Sequence, residues 1–203
     1  MAGTGLNIQS PIIHPGFFAG NWYGPPSQLN SAASTFATGN INFLPWPLEA
    51  LLTVDRLGIC VDAIAAAGNC RVAWYNSAAP GLEQRPTTLI AQTGDISTGA
   101  LGPIDAAVLA NGVARPGVIH MGVQFDATAG GTAILKSLHA SYNMVGSLIG
   151  APTLAAIIIQ AGSVSGFTWR YAQTYGAFPA DLTGQTLSRV AGNAAGCVWA
   201  RAV

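Results

Sequence analysis

The sequence predicts an all-β fold: an antiparallel, jelly-roll-like β-sandwich with an extended N-terminal arm. Three observations carry this expectation. Short runs rich in β-branched and aromatic residues recur from Ser34 onward, cut by Gly- and Pro-containing turns. One run, Thr53 to Ala63, alternates clearly, with Leu57, Ile59 and Val61 on one face and Arg56, Gly58, Cys60 and Asp62 on the other. Long amphipathic helices lack material. The 203 residues hold eight Lys plus Arg and eight Asp plus Glu, 8% charged. An ordinary soluble domain has roughly 25%.

Residues 1–33 form the expected arm, and residues 34–203 a single sandwich domain. The arm carries no Asp, Glu, Lys or Arg and is rich in Gly, Pro, Asn and Ser. It nonetheless contains Ile12, Ile13, Phe17, Phe18, Trp22 and Tyr23, which would make an apolar patch if exposed. It is therefore expected to dock on its own domain or a neighbour; an irregular first strand is the other reading.

The first domain strand is expected at Phe36 to Phe43, ending at Pro45 and Pro47. Ala65 to Asn69 supplies a turn between the Thr53–Ala63 strand and a return strand, Cys70 to Asn76. Val72 and Trp74 should point inward there, so the adjacent Tyr75 must face away from the core. The same parity puts Cys60 and Cys70 on opposite faces of one hairpin, which predicts free thiols. Further strands are expected at Thr88 to Ile96, Gly102 to Leu109, Gly117 to Asp126, Tyr142 to Ile149, Phe167 to Gln173 and Gly196 to Ala202. Thr153 to Ala161 is the best helical candidate, although Ile157-Ile158-Ile159 fits a strand equally. Thr132 to His139 has room for one helical turn.

Composition also excludes function classes. Disorder needs low hydrophobicity and high net charge, whereas half of this chain is hydrophobic and its formal net charge is zero. One Lys and seven scattered Arg give no excess positive charge for nucleic acid. The best apolar core, Leu154 to Ile159, is far short of the roughly 20 residues of a spanning helix, so no membrane insertion is expected. No basic segment precedes an apolar one at the N-terminus, and the three cysteines form no CxxC pair. Synthesis in a reducing cytoplasm is the expectation. A surface this neutral protects a free monomer poorly against self-association, so subunit contacts are expected to bury much of it.

Motifs for chemistry are missing. Lys136 follows Leu135, not a phosphate-cradling glycine, and Gly162-Ser163-Val164-Ser165-Gly166 has Val where a nucleophile elbow needs Ser. His14, His120 and His139 show no ligand spacing, and His120 reads as a satisfied strand histidine. The acids form no close pair; Asp55 with Arg56 and Asp62 with Arg71 read as surface ion pairs. No cofactor or metal is expected. Trp22, Tyr23, Trp46, Trp74, Tyr75, Tyr142, Trp169, Tyr171 and Tyr175 are available as sugar-stacking platforms. Trp169 and Tyr171 share a strand face, an arrangement more usual in packing.

Several segments, taken in order, resemble a β-sandwich domain common in bacteriophage structural proteins. Trp22-Tyr23-Gly24-Pro25-Pro26 resembles its Tyr-Gly-Pro entry. Thr53-Val54-Asp55-Arg56-Leu57-Gly58-Ile59 resembles its Asp-Arg-Ile-Gly strand, and Arg71-Val72-Ala73-Trp74-Tyr75-Asn76 the Arg-Leu-Gly-Ile-Tyr strand that follows. Pro80-Gly81-Leu82 and Leu89-Ile90 match its loop and next strand. Pro116 to Val123 resembles a Pro-Gly-Trp-Tyr-Trp-Leu-Ala strand, with Val118, Ile119 and His120 in place of the aromatics. Tyr175-Gly176-Ala177-Phe178-Pro179-Ala180 resembles its Thr-Gly-Ala-Leu-Pro loop.

The resemblance spans residues 22 to 203 and carries no catalytic residues. It implies a non-enzymatic virion protein, made in the host cytoplasm and often homotrimeric, displayed as a tail-fibre, spike or host-contact module. A capsid decoration protein is the alternative, and a carbohydrate-binding module or glycan-degrading tailspike fragment a weaker one. Its expected partners are itself, other virion proteins and a host surface glycan. The arm and one sandwich face should pack around a threefold axis, presenting outward the loops Ala78–Pro86, Asp126–Thr132 and Tyr175–Gly184. Within them Leu82, Glu83, Arg85, Asp126 and Asp181 are the candidate contact residues.

Overall fold

The computed structural model describes residues 16–24, 29–30, 38–64, 68–78, 84–126, 133–135, 137–138, 168–190 and 197–203. They form an antiparallel all-β sandwich. In chain order the strands are β1 (Trp22–Tyr23), β2 (Leu29–Asn30), β3 (Asn40–Leu48), β4 (Leu52–Ala63), β5 (Asn69–Ser77), β6 (Pro86–Gln92) and β7 (Ile96–Ser97). There follow β8 (Gly102–Ala114), β9 (Gly117–Phe125), β10 (Ile134–Leu135), β11 (Ser137–Leu138), β12 (Thr168–Ala172), β13 (Ser188–Val190) and β14 (Trp199–Ala202).

One sheet runs β1-β14-β4-β10, with β8 along the other side of β4. The second runs β13-β12-β3-β9-β5-β6, with β7 added to β5. Strands β2 and β11 pair separately. Between β3 and β9 the chain crosses from one main sheet to the other after Leu48, Ala63, Ser97 and Ala114, which ties the two together. On one side β8 leans onto the second sheet: Val108 bridges Thr93, and a Cβ on Gly112 would stand 2.0 Å from the Ile90 carbonyl oxygen.

The core between the sheets is built from alternate residues, as strand periodicity requires. Leu44, Trp46 and Leu48 of β3, Val72 and Trp74 of β5, and Ile119, Met121, Val123 and Phe125 of β9 meet Leu57, Ile59 and Val61 of β4. Trp46 and Trp74 pack edge to face, with ring centroids 5.4 Å apart. Leu52 and Val54 also point inward, so the inward parity of β4 changes before Leu57. Register explains the change. Arg201 lies opposite Arg56 and Ala202 opposite Val54, which leaves Asp55 as an extra residue, a β-bulge.

The proline-bounded first strand requires correction. Strand β3 runs through Pro45 and Pro47 to Leu48, paired with β9 throughout. The two prolines share parity, so their missing N–H groups lie on the same side of the strand. The described register with β12 stops at Phe43, short of both, so neither interrupts that ladder. The helical turn expected within Thr132 to His139 is also replaced, by the short strands β10 and β11. Tyr142 to Ile149 and Thr153 to Ala161 lie outside the described residues.

The hairpin expected of Thr53–Ala63 and Cys70–Asn76 does not form, because β4 and β5 belong to different sheets, but each cysteine keeps the face that its own strand's alternation predicts. Cys70 belongs to the core between the sheets, Cys60 lies half-buried on the outer face of the first sheet, and Cys197 is buried. Burial pushes the Cys70 thiol up to about 12. Brief alkylation of the native protein should therefore label Cys60 and spare Cys70 and Cys197. Peptide mass mapping checks this, and labelling of Cys70 at the rate of Cys60 would contradict the register.

Candidate functional site

The outer faces of the two sheets differ. That of the second sheet is covered by the protein's own chain. Residues 173–187 form a strap across it, burying Phe178 and Leu182 with Ile41, Phe43, Ala73, Tyr75 and Trp169 in a second core. Tyr75 does point away from the first core, as parity predicts, yet it is fully buried. Its hydroxyl donates to the Pro179 carbonyl at 2.6 Å. Gln124 fixes the start of the strap, donating to the carbonyls of Gln173 (3.1 Å) and Thr174 (2.9 Å) and accepting from the Gly176 N–H (3.2 Å). The Tyr175 hydroxyl donates to Asp95, which also pairs with Arg71 at 2.6 Å. These two donors hold the Asp95 carboxyl below its ordinary range.

Of the three loops expected to face outward, only Tyr175–Gly184 lies wholly within the described residues. Tyr175–Gly184 packs as a strap and is no free loop. Arg85 donates to the Leu182 (3.2 Å) and Gln185 (2.6 Å) carbonyls, so it clamps the strap's far end. Asp126 is half-buried at a strand end, where its N–H donates to the Asn69 carbonyl at 3.0 Å. Asp181 is exposed, with a carboxylate oxygen accepting from the Thr183 N–H at 2.7 Å. Leu82 and Glu83 lie outside the described residues. Trp169 and Tyr171 both join the packing under the strap, as shared parity suggested.

Beside the strap lies a polar group that sequence reading did not assemble. The Ser77 hydroxyl donates to Gln84 Oε1 (2.9 Å) and sits 3.1 Å from His120 Nε2. With its single proton given to Gln84, the hydroxyl accepts from an Nε2–H tautomer. Nδ1 is then a buried acceptor without a partner. The imidazole thus gives a proton to the hydroxyl's lone pair and does not draw one from it, which leaves Ser77 unactivated as a nucleophile. His120 is satisfied at one nitrogen only, and burial lowers its pKa to about 3.

Among the described residues, no segment covers the outer face of the first sheet. Cross-strand register places Trp199 beside Gly58 and Gly58 beside Asp105; the next row holds Trp22, Arg201 and Arg56. A groove of about 560 Å³ runs here, lined by Trp22, Gly58, Cys60, Pro103, Asp105 and Trp199 among others. Its floor has no side chain at Gly58, where a Cβ would come 3.2 Å from the Trp22 ring. Gly24 is required by close approach: its Cβ would stand 2.4 Å from the Trp199 ring. Two ion pairs border this end, Arg56 with Asp105 and Arg201 with Asp55. The Arg201 bond is the chief reason the Asp55 carboxyl titrates below its usual range.

These pairs replace the two expected from sequence. Asp55 and Arg56 each find a cross-strand partner, and Arg71 pairs with Asp95 on the other sheet. Trp199 was absent from the aromatic candidates, and only its register opposite Gly58 brings it to the groove.

Of the arm residues, Phe17 and Tyr23 pack on the chain's own core, their rings 4.5 Å apart and edge to face. Residues Gly20 and Asn21 bond to Ala202, and β1 pairs with β14, so this part of the arm is the first sheet's outermost strand. Phe18 and Trp22 are exposed; Ile12 and Ile13 lie outside the described residues.

Among the described residues, no group of three or more His, Cys, Asp or Glu is placed to hold a metal ion, and no helix is long and apolar enough to cross a membrane. No protein-family model matches the chain, and no curated protein matches it in sequence.

Proposed function

We propose that the chain is a non-enzymatic structural module of a bacteriophage virion, assembled as a homotrimer and displayed at the particle surface as a tail-fibre, spike or host-contact element. The jelly-roll-like wiring belongs to this proposal. Strand β8 carries it. The strand has thirteen residues and one charged side chain, Asp105, which is already paired. Leu109 (66% exposed) and Val113 (50%) face solvent along it, with Leu101 (65%) just before its start. Monomeric proteins guard long edge strands with charges, prolines or short length. Here Pro103, the irregular pairing after Val54 and the lean onto β6, with its single bridge from Val108 to Thr93, cover only part of the strand and leave Leu109 and Val113 exposed, so burial against another subunit supplies the rest.

Light scattering at micromolar concentration should give three times the chain mass. A monodisperse monomer overturns the obligate oligomer. Leu109→Lys combined with Val113→Lys should dissociate it, while monomer stability changes by no more than about 0.5 kcal/mol, as usual for surface positions. Deleting residues 1–15, which leaves Phe17, Tyr23 and β1 in place, should abolish particle incorporation, and full occupancy by the truncated chain would refute docking through the arm. Capsid decoration is the second reading, favoured by residues 1–33, whose lack of Asp, Glu, Lys and Arg suits an arm laid dry across neighbouring subunits of a shell. Labelling over the whole capsid selects it, whereas labelling at the tail tip selects adhesion.

A further inference from the structure

We propose that the groove between Trp22 and Trp199 binds a neutral pyranose sugar, as a residue of a surface polysaccharide. This goes beyond the assembly reading and does not depend on it, since it stands on the outer face of the first sheet alone. Two indoles from neighbouring strands line one groove whose floor, at Gly58, is bare backbone. A pyranose presents C–H groups on its faces and hydroxyls around its rim. The apolar indole surfaces suit the former. Carboxylate and guanidinium groups suit the latter, because each hydroxyl both donates and accepts.

Those polar groups stand where the rim would lie. Asp105 lines the groove and Arg56 is bonded to it, with about a third of each side chain still open to solvent (38% and 33%). Arg201 and Asp55 add a second donor–acceptor pair in the adjacent row. The ion pairing holds these side chains in place before a ligand arrives, which lowers the ordering cost of binding. The four charges cancel, so a phosphate, a sulfated glycan or a nucleic-acid backbone finds no net attraction. The volume, about 560 Å³, lies within the range of small-ligand sites. Trp22 is 41% exposed, so its ring is reachable without unfolding the edge.

The test is titration of the full chain with neutral gluco-, manno- and galacto-oligosaccharides, followed by calorimetry and tryptophan fluorescence. At least one series should saturate below about 10 mM. Trp22→Ala should weaken it at least about tenfold, Asp105→Asn should weaken it less, and Trp22→Phe should keep part of it. Unchanged circular dichroism and oligomer mass show that each variant folds and assembles, which separates this result from failure of the assembly reading. Absence of saturable binding by all three series overturns the proposal, as does Trp22→Ala binding like the native chain. Trp22 shielded from acrylamide quenching in the assembled protein also overturns it, because a second copy would then fill the groove.

Discussion

Phe178→Ala is expected to destabilise the protein by about 3–5 kcal/mol, the range for deleting a buried aromatic side chain. A surface loop would give almost nothing at this position. Phe178 is 4% exposed, and its ring centroid lies 6.3 Å from that of Tyr75, which packs edge to face on Phe43. Removing the ring opens a cavity at the centre of the strap. The Phe178 N–H donates to Gln92 Oε1, the Leu89 N–H to the Ala180 carbonyl and the Leu182 N–H to the Thr87 carbonyl. These bonds anchor the strap along β6, so it cannot simply collapse into the gap. Urea unfolding monitored by tryptophan fluorescence measures the loss. Asp181→Ala, at an exposed position in the same segment, should stay within about 0.5 kcal/mol. Equal effects of the two substitutions would show that the strap is not packed.

Acid should weaken the fold well before the carboxylates titrate. His120 binds a proton near pH 6.5 when unfolded but only near pH 3 when folded. Below pH 6.5 the unfolded state therefore holds more protons, and stability falls as the pH drops. The loss approaches 1.4 kcal/mol per pH unit and totals on the order of 4 kcal/mol by the folded pKa. Tyr75 and Ser77 adjoin His120 and stay neutral throughout this window, and the nearby Gln84 does not titrate. Asp55 and Asp95 sit below the ordinary carboxylate value and add their own losses only at lower pH. His120→Met should flatten the slope between pH 6.5 and 4.5 while leaving the lower region unchanged. Urea titrations at several pH values test this, and an unaltered slope in the variant would exclude His120 as the source.

The first sheet's core was legible because water sits on one side of it. In β4, Leu57, Ile59 and Val61 alternate with Gly58, Cys60 and Asp62, and the pattern names the buried face directly. In β3, β5 and β9 both faces are buried, and alternation fades into continuous apolar runs such as Phe43 to Trp46. Sequence could say that Trp74 and Tyr75 point oppositely, but not that both directions lead to a core. The covering strap lies about a hundred residues further on and contains Gly, Pro and Thr, the ordinary marks of an exposed loop. Its buried anchors, Phe178 and Leu182, are four residues apart in an irregular segment, which gives no period to detect. The ion pairs failed for the same reason. Adjacent residues in a strand point to opposite faces, so the partners of Asp55 and Arg56 had to come from other strands. The groove needed Trp22 and Trp199, from opposite ends of the chain, to meet across one sheet.

The strap also gives the molecule a front and a back. Among the described residues, one broad side carries the chain's own strap, and the groove lies on the other. Subunits arranged about a common axis would then all turn the same side outward. Whatever they touch would be touched in several parallel copies, and a weak single contact would be multiplied by geometry into a firm hold.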